Sequence, residues 1–64
     1  MKEHYEVWIQ MGSGEWRRKL VTFQTEGGAK ADADNYSPHF ACRIRKAFST
    51  VAQRSAQGSW EKGD

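Results

Sequence analysis

From His4 to Met11 the chain alternates: Tyr5, Val7, Ile9 and Met11 fall on one side, His4, Glu6, Trp8 and Gln10 on the other. This is the two-residue period of a half-buried strand, written in residues that favour extended backbone. Gly12-Ser13-Gly14 follows at once, and a short hairpin loop needs residues that tolerate positive φ. The chain is thereby committed to an N-terminal β-hairpin whose second strand runs from Glu15 to about Thr25. A three-residue loop sets Trp8 opposite Arg18 and Tyr5 opposite Val21. Val21 and Phe23 then join Tyr5, Val7 and Ile9 on the core side, while Trp16, Arg18 and Leu20 join Trp8 outside. A four-residue loop would turn the second strand over and expose Phe23, which is the poorer register.

Thr25 is a good N-cap for a short helix through Tyr36. Ala29, Ala33 and Tyr36 recur at helical spacing, with Lys30, Asp32 and Asp34 toward water. Gly27 and Gly28 weaken the first turn, each by roughly 1 kcal/mol relative to Ala. Asn35 and Ser37-Pro38 end the helix.

The next segment supports two readings. As a strand, 39–46 points Phe40, Cys42 and Ile44 inward and Arg43 and Arg45 outward. As a helix over 38–57, Ser37 caps the start, Pro38 sits at the first helical position and Gly58 closes the end. Phe40, Ile44, Ala47, Phe48 and Val51 then form one apolar stripe. Pattern alone slightly favours the helix, but a lone hairpin is marginal and a third strand gives the first helix a sheet to cover. The expectation is a single α+β domain of ββαβ type over residues 1–50, with ββαα as the alternative. Beyond Thr50 the chain turns rich in Ser, Gln and Gly, so 51–64 reads as a polar tail, weakly docked or disordered. The nine core positions expected are Tyr5, Val7, Ile9, Val21, Phe23, Tyr36, Phe40, Cys42 and Ile44.

Size limits function. Sixty-four residues, of which 38% are hydrophobic, allow one modest core and little room for an enclosed active site. The net charge of +2 is too small for a dedicated nucleic-acid binder, although 17–19 and 43–46 carry six of the ten cations. One cysteine, Cys42, excludes an internal disulfide scaffold and fits a reducing compartment. Met1-Lys2-Glu3-His4 lacks the apolar run of a signal peptide, and no stretch approaches the ~20 apolar residues of a membrane span. The expectation is a cytoplasmic protein without a membrane segment.

One resemblance adds to this. Tyr5-Glu6-Val7-Trp8-Ile9, Gly14-Glu15-Trp16, Val21-Thr22-Phe23-Gln24-Thr25, the Ala29/Ala33/Tyr36 helix and Cys42-Arg43-Ile44-Arg45-Lys46 follow one another in order. The series resembles the small ββαβ proteins of bacteriophages, among them phage inhibitors of bacterial RNA polymerase and some anti-CRISPR proteins. It spans residues 4–46 and is a pattern of elements without a signature motif; Gly27-Gly28 departs from it. The resemblance implies the strand reading of 39–46, a phage or mobile-element origin and action inside a bacterial host cell. It assigns no residue a role.

The candidate contact residues are Trp8, Trp16, Arg17, Arg18, Arg43 and Arg45. Tryptophan and arginine are favoured interface anchors and can stack as cation–π pairs. The bland alternative is that the tryptophans merely cover a thin core. The functional expectation is a non-enzymatic protein that inhibits or redirects a host protein or a protein–nucleic-acid machine through this face. A nucleic-acid-binding accessory protein and a self-associating, homodimeric component are the alternatives. Single strands could stack on Trp8 and Trp16, but Glu6 and Glu15 oppose phosphates. Catalysis lacks a recognisable set: His39 and Cys42 meet on a helix but diverge on a strand. His39-x-x-Cys42 offers two ligands where structural zinc needs four, and Asp32-x-Asp34 lacks the rest of a calcium loop. No cofactor or metal is expected.

Overall fold

The computed structural model describes residues 4–63. Five strands and one helix follow in the order β1 (Tyr5–Gln10), β2 (Trp16–Phe23), α1 (Glu26–Tyr36), β3 (Cys42–Lys46), β4 (Ser49–Arg54) and β5 (Glu61–Lys62). All pair antiparallel in one sheet of order β2-β1-β3-β4-β5. The helix packs on β1, β2 and β3 and leaves the other face of the sheet open. The fold is α+β, with a sheet of five strands in place of the expected three.

The first hairpin forms around the expected three-residue loop. Met11 and Glu15 close it with a 2.7 Å bond from the Met11 amide, and Gly14 adopts φ +93°, which a side chain would resist. Trp8 faces Arg18 as expected, but Tyr5 faces Phe23, not Val21. Between Glu6 and Trp8 the ladder shifts, and β2 spends two extra residues there. An even shift keeps each side chain on its original face, so Phe23 stays beside Tyr5 on the core side. What it displaces is Val21, expected in the core and found 55% exposed; Leu20 beside it is exposed as well.

Thr25 caps α1 as expected, its Oγ1 accepting a 3.0 Å bond from the Gly28 amide. Ala29 and Ala33 are wholly buried, and Ser37 continues their stripe. Tyr36 lies about 100° around the helix from Ser37 and is 71% exposed, a correction to its expected core place. Its ring instead lies under the Lys19 ammonium at 5.2 Å. Lys19 also bonds Asp32 at 2.7 Å and ties the edge strand to the helix. A Cβ at Gly27 would meet nothing within 4 Å. Gly27→Ala is therefore expected to raise unfolding free energy by about 0.4–1 kcal/mol, chiefly by restricting the unfolded chain. An unchanged or lower denaturant midpoint would refute this.

The long helix over 38–57 does not form; β3 and β4 and a tight turn at Ala47-Phe48 occupy its place. The apolar stripe such a helix needs is not buried: Phe48 is 94% and Phe40 41% exposed. The two-residue period is used instead, with Cys42 and Ile44 buried from β3 and Ala52 and Arg54 from β4. Phe40 is corrected too: it lies in the loop before β3. The break expected after residue 50 falls inside β4, and the expected tail supplies part of the core. Trp60 packs against that core, and its Nε1 donates to both carboxylate oxygens of Asp34 at 3.1 and 3.0 Å.

The core is thin, with Ile44, Val7 and Cys42 its largest fully buried side chains. Alanines complete it and let the helix sit close to the sheet. Arg54 compensates from the side. Its guanidinium donates to Asp34 Oδ1 at 2.9 Å, to the carbonyls of Phe40 and Ser55 at 2.8 and 3.2 Å, and to those of Ala33 and Ser37 at 3.1 and 3.0 Å. All five donors are used. The helix has no basic residue in its own last turn; Arg54 supplies that charge from β4.

Candidate binding face

The even positions of β1 and the odd positions of β3 point away from the helix. Register places Trp8 between Arg18 and Arg43, Glu6 beside Arg45, and Trp16 opposite Gln10. Trp8, Trp16, Arg18, Arg43 and Arg45, five of the six expected contact residues, therefore share the open face. Arg17 does not. It pairs with Ile9, belongs to the helix side, and binds Glu15 at 3.3 Å in an exposed position. Three consecutive cations on a strand cannot share a face, because successive side chains alternate.

The aromatics and cations are stacked. The Arg43 guanidinium lies 4.1 Å from the centre of the Trp16 ring, and that of Arg45 lies 5.8 Å from Trp8. Glu6 organises one end: it accepts from Trp8 Nε1 at 3.1 Å and pairs with Arg18 at 3.5 Å. Arg45 donates from Nη2 to the Phe48 carbonyl at 2.8 Å, while its covered Nε has no partner. Trp8, Trp16, Arg43 and Arg45 surround a notch of about 90 Å³. A shallower trough of about 240 Å³ shares Trp16 and Arg43 and continues past Gln53 to Glu61. None of these four side chains is fully buried, so the face is covered by its own arginines and by solvent.

The alternative chemistry is dispersed. Cys42 is buried on the helix side, its Sγ 3.4 Å from the Phe40 carbonyl, while exposed His39 meets Gln57 at 2.7 Å through Nδ1. No three of the described His, Cys, Asp or Glu residues gather as a metal site. Among the described residues no helix is long and apolar enough to cross a membrane.

Burial pushes the Cys42 thiol up from its ordinary 9.0, with Arg54 opposing the shift. Well below pH 9 the thiol is protonated in both folded and unfolded chains. Above it the unfolded chain releases its proton first, so folding must take one up and stability falls. The stability of the native chain relative to Cys42→Ala is expected to drop between pH 8 and 10, as read from denaturant midpoints of both. Parallel pH profiles would show that the thiol ionises as readily folded as unfolded.

Sequence reasoning missed Trp60 and Arg54. Trp60 carried a signal, since a tryptophan in a polar segment asks for a partner. No family model, no curated protein and no solved structure matches this chain.

Proposed function

We propose that this chain is a small non-enzymatic binding protein that docks through its open sheet face onto a host protein or protein–nucleic-acid machine and inhibits or redirects it. The observation that carries the reading is the placement of Trp8 and Trp16 under arginines on a face that the helix does not cover. A thin core would gain by burying two indoles, yet register directs both away from it. Desolvating such anchors against a partner is where binding energy concentrates. The resemblance of residues 4–46 to small phage proteins supports a bacterial host as the source of that partner, and the bacterial cytoplasm as the place of action.

Three features support protein over nucleic acid. Arginines lie over the indole faces on which bases would stack. Glu6 stands on the face itself, and Glu61 pairs with Gln53 at its far side. The cations number few beside the six to ten phosphate contacts that give nucleic-acid binders their steep salt dependence.

The test is retention from a bacterial lysate by the immobilised chain, with every bound protein and nucleic acid identified. The native chain and Arg17→Glu are expected to retain the same protein, and a Trp16→Ala/Arg43→Glu variant to lose it. Retention of nucleic acid alone, released steeply by salt, would establish the accessory-protein alternative. Equal retention by all three chains would sink the reading.

A further inference from the structure

We infer that the notch between Trp8 and Trp16 is a carboxylate site, which receives an aspartate or glutamate side chain from an acidic segment of the protein partner; the inference rests on the reading of the open face as a docking surface. The charge inventory leads to it. Arg17, Arg18, Lys19, Lys30 and Arg54 each already hold a carboxylate of this chain. Arg43 and Arg45 hold none among the described residues, although Glu6 stands directly opposite Arg45, two residues before Trp8, which is opposite Arg43. Both Glu6 oxygens are engaged elsewhere, one by the Trp8 indole and one by Arg18. The two guanidiniums thus line one notch with no carboxylate of their own among the described residues.

Like charges so placed repel unless something neutralises them. Arg45 adds a second sign, since its Nε is covered and makes no hydrogen bond, a cost that buried donors rarely bear. A small outward turn of that guanidinium would offer Nε and one Nη to two carboxylate oxygens, the fork geometry in which arginine binds acids best. The indoles hold Arg43 and Arg45 at the notch through cation–π contact, and no described side chain or carbonyl is bonded to the Arg43 guanidinium, which is left for the ligand.

Size narrows the ligand. About 90 Å³ is the space of roughly three waters, enough for a carboxylate and its adjoining methylene against the indole walls. The trough beyond Trp16 and Arg43 gives the flanking residues of an extended acidic segment somewhere to lie. Glu61 at the trough's far end would repel a continuous run of acids, so the site suits a single acid within a mixed segment.

The test uses the whole chain, ¹⁵N-labelled, observed at its indole and arginine Nε–H signals. It is titrated separately with a blocked peptide of alternating Glu and Gly, with the Gln counterpart, and with oligothymidylate. The Glu peptide is expected to move Trp8, Trp16, Arg43 and Arg45 saturably, while Trp60, bonded to Asp34 on the opposite side, stays still. Arg43→Gln and Arg45→Gln should each weaken that response about 10-fold or more, and Arg45→Lys should not restore it. The unmoved Trp60 signal shows that each variant is folded. An equal response to the Gln peptide, a Glu response that survives both substitutions, no response, or a response to oligothymidylate alone would each overturn the carboxylate site. Those results leave the wider docking face to be judged by lysate retention, so the two readings fail separately.

Discussion

Arg54→Met is expected to unfold this protein or to lower its melting temperature by more than 10 °C. The side chain is 1% exposed and its five N–H groups are all bonded. Methionine fills comparable volume but removes all five charge-assisted hydrogen bonds, leaving the Phe40 carbonyl, among the described residues, only the Cys42 thiol as donor, while Ser37 keeps the Phe40 amide. Hydrogen bonds to a charged group are worth about 1.5–3 kcal/mol each, and two of them suffice for the estimate. The C-terminus of α1 also loses the cation that binds its last carbonyls, worth roughly 0.3–1 kcal/mol. Asp34 softens the loss, because it is half exposed and keeps the Trp60 indole as donor. The total is about 3 kcal/mol or more, which in a domain this small is a large share of a stability near 0.05–0.15 kcal/mol per residue. At about 4–8 °C per kcal/mol, the shift exceeds 10 °C. Arg54→Lys should recover only part, since an ammonium cannot reach four carbonyls and a carboxylate from one place. Arg17→Gln, exposed at the sheet edge, should change little. A thermal melt of Arg54→Met within a few degrees of the native chain would show that the arginine is not what holds β4 to the helix.

Trp8→Ala is expected to cost at least ~30-fold in affinity for the partner while the chain remains folded. A central tryptophan anchor is worth about 2 kcal/mol or more on truncation, and about 1.4 kcal/mol is a factor of ten. In the free protein Trp8 contributes cross-strand contacts with Arg18 and Arg43, each pair worth roughly 0.2–1 kcal/mol, and nothing to the buried core. Calorimetric titration against the purified partner, beside a melt of each variant, separates the two effects. Arg17→Ala is the control, because its side chain belongs to the opposite face. If Trp8→Ala unfolds the chain, the indole is structural; if it binds as tightly as the native chain, the contact lies elsewhere.

The face was legible before the fold was complete, and the reason is the period of a strand. Once 4–11 alternates and Gly12-Ser13-Gly14 turns the chain, Trp8, Trp16 and Arg18 must share one side. Arg43 and Arg45 join them as soon as 42–46 is extended. The two-residue period also excludes Arg17 from a face that holds Arg18, so naming both as contact residues contradicted the pattern that identified the others. Periodicity could not choose between strand and helix for 39–57, since Phe40, Ile44 and Ala47 fit one and Cys42 and Ile44 fit the other. The sheet decided it: β1 has two edges, β2 takes one, and β3 satisfies the amides and carbonyls of the other.

The amino-acid order by itself determined the first hairpin, the Thr25 cap with the alanine stripe behind it, and the side of the sheet on which the tryptophans stand. Each depends on neighbours within a few residues, where backbone geometry translates sequence directly into direction. Tertiary structure alone decided the displaced Val21, the last two strands and the burial of Arg54. A strand written Ser-Thr-Val-Ala-Gln-Arg carries no apolar alternation to announce it. Its arginine can leave water only because Ala33, Asp34, Ser37 and Phe40, distant along the chain, arrive together with acceptors at the places its donors point. A buried charge is stabilised by the simultaneous presence of all its partners, and that coincidence exists only once the chain has folded.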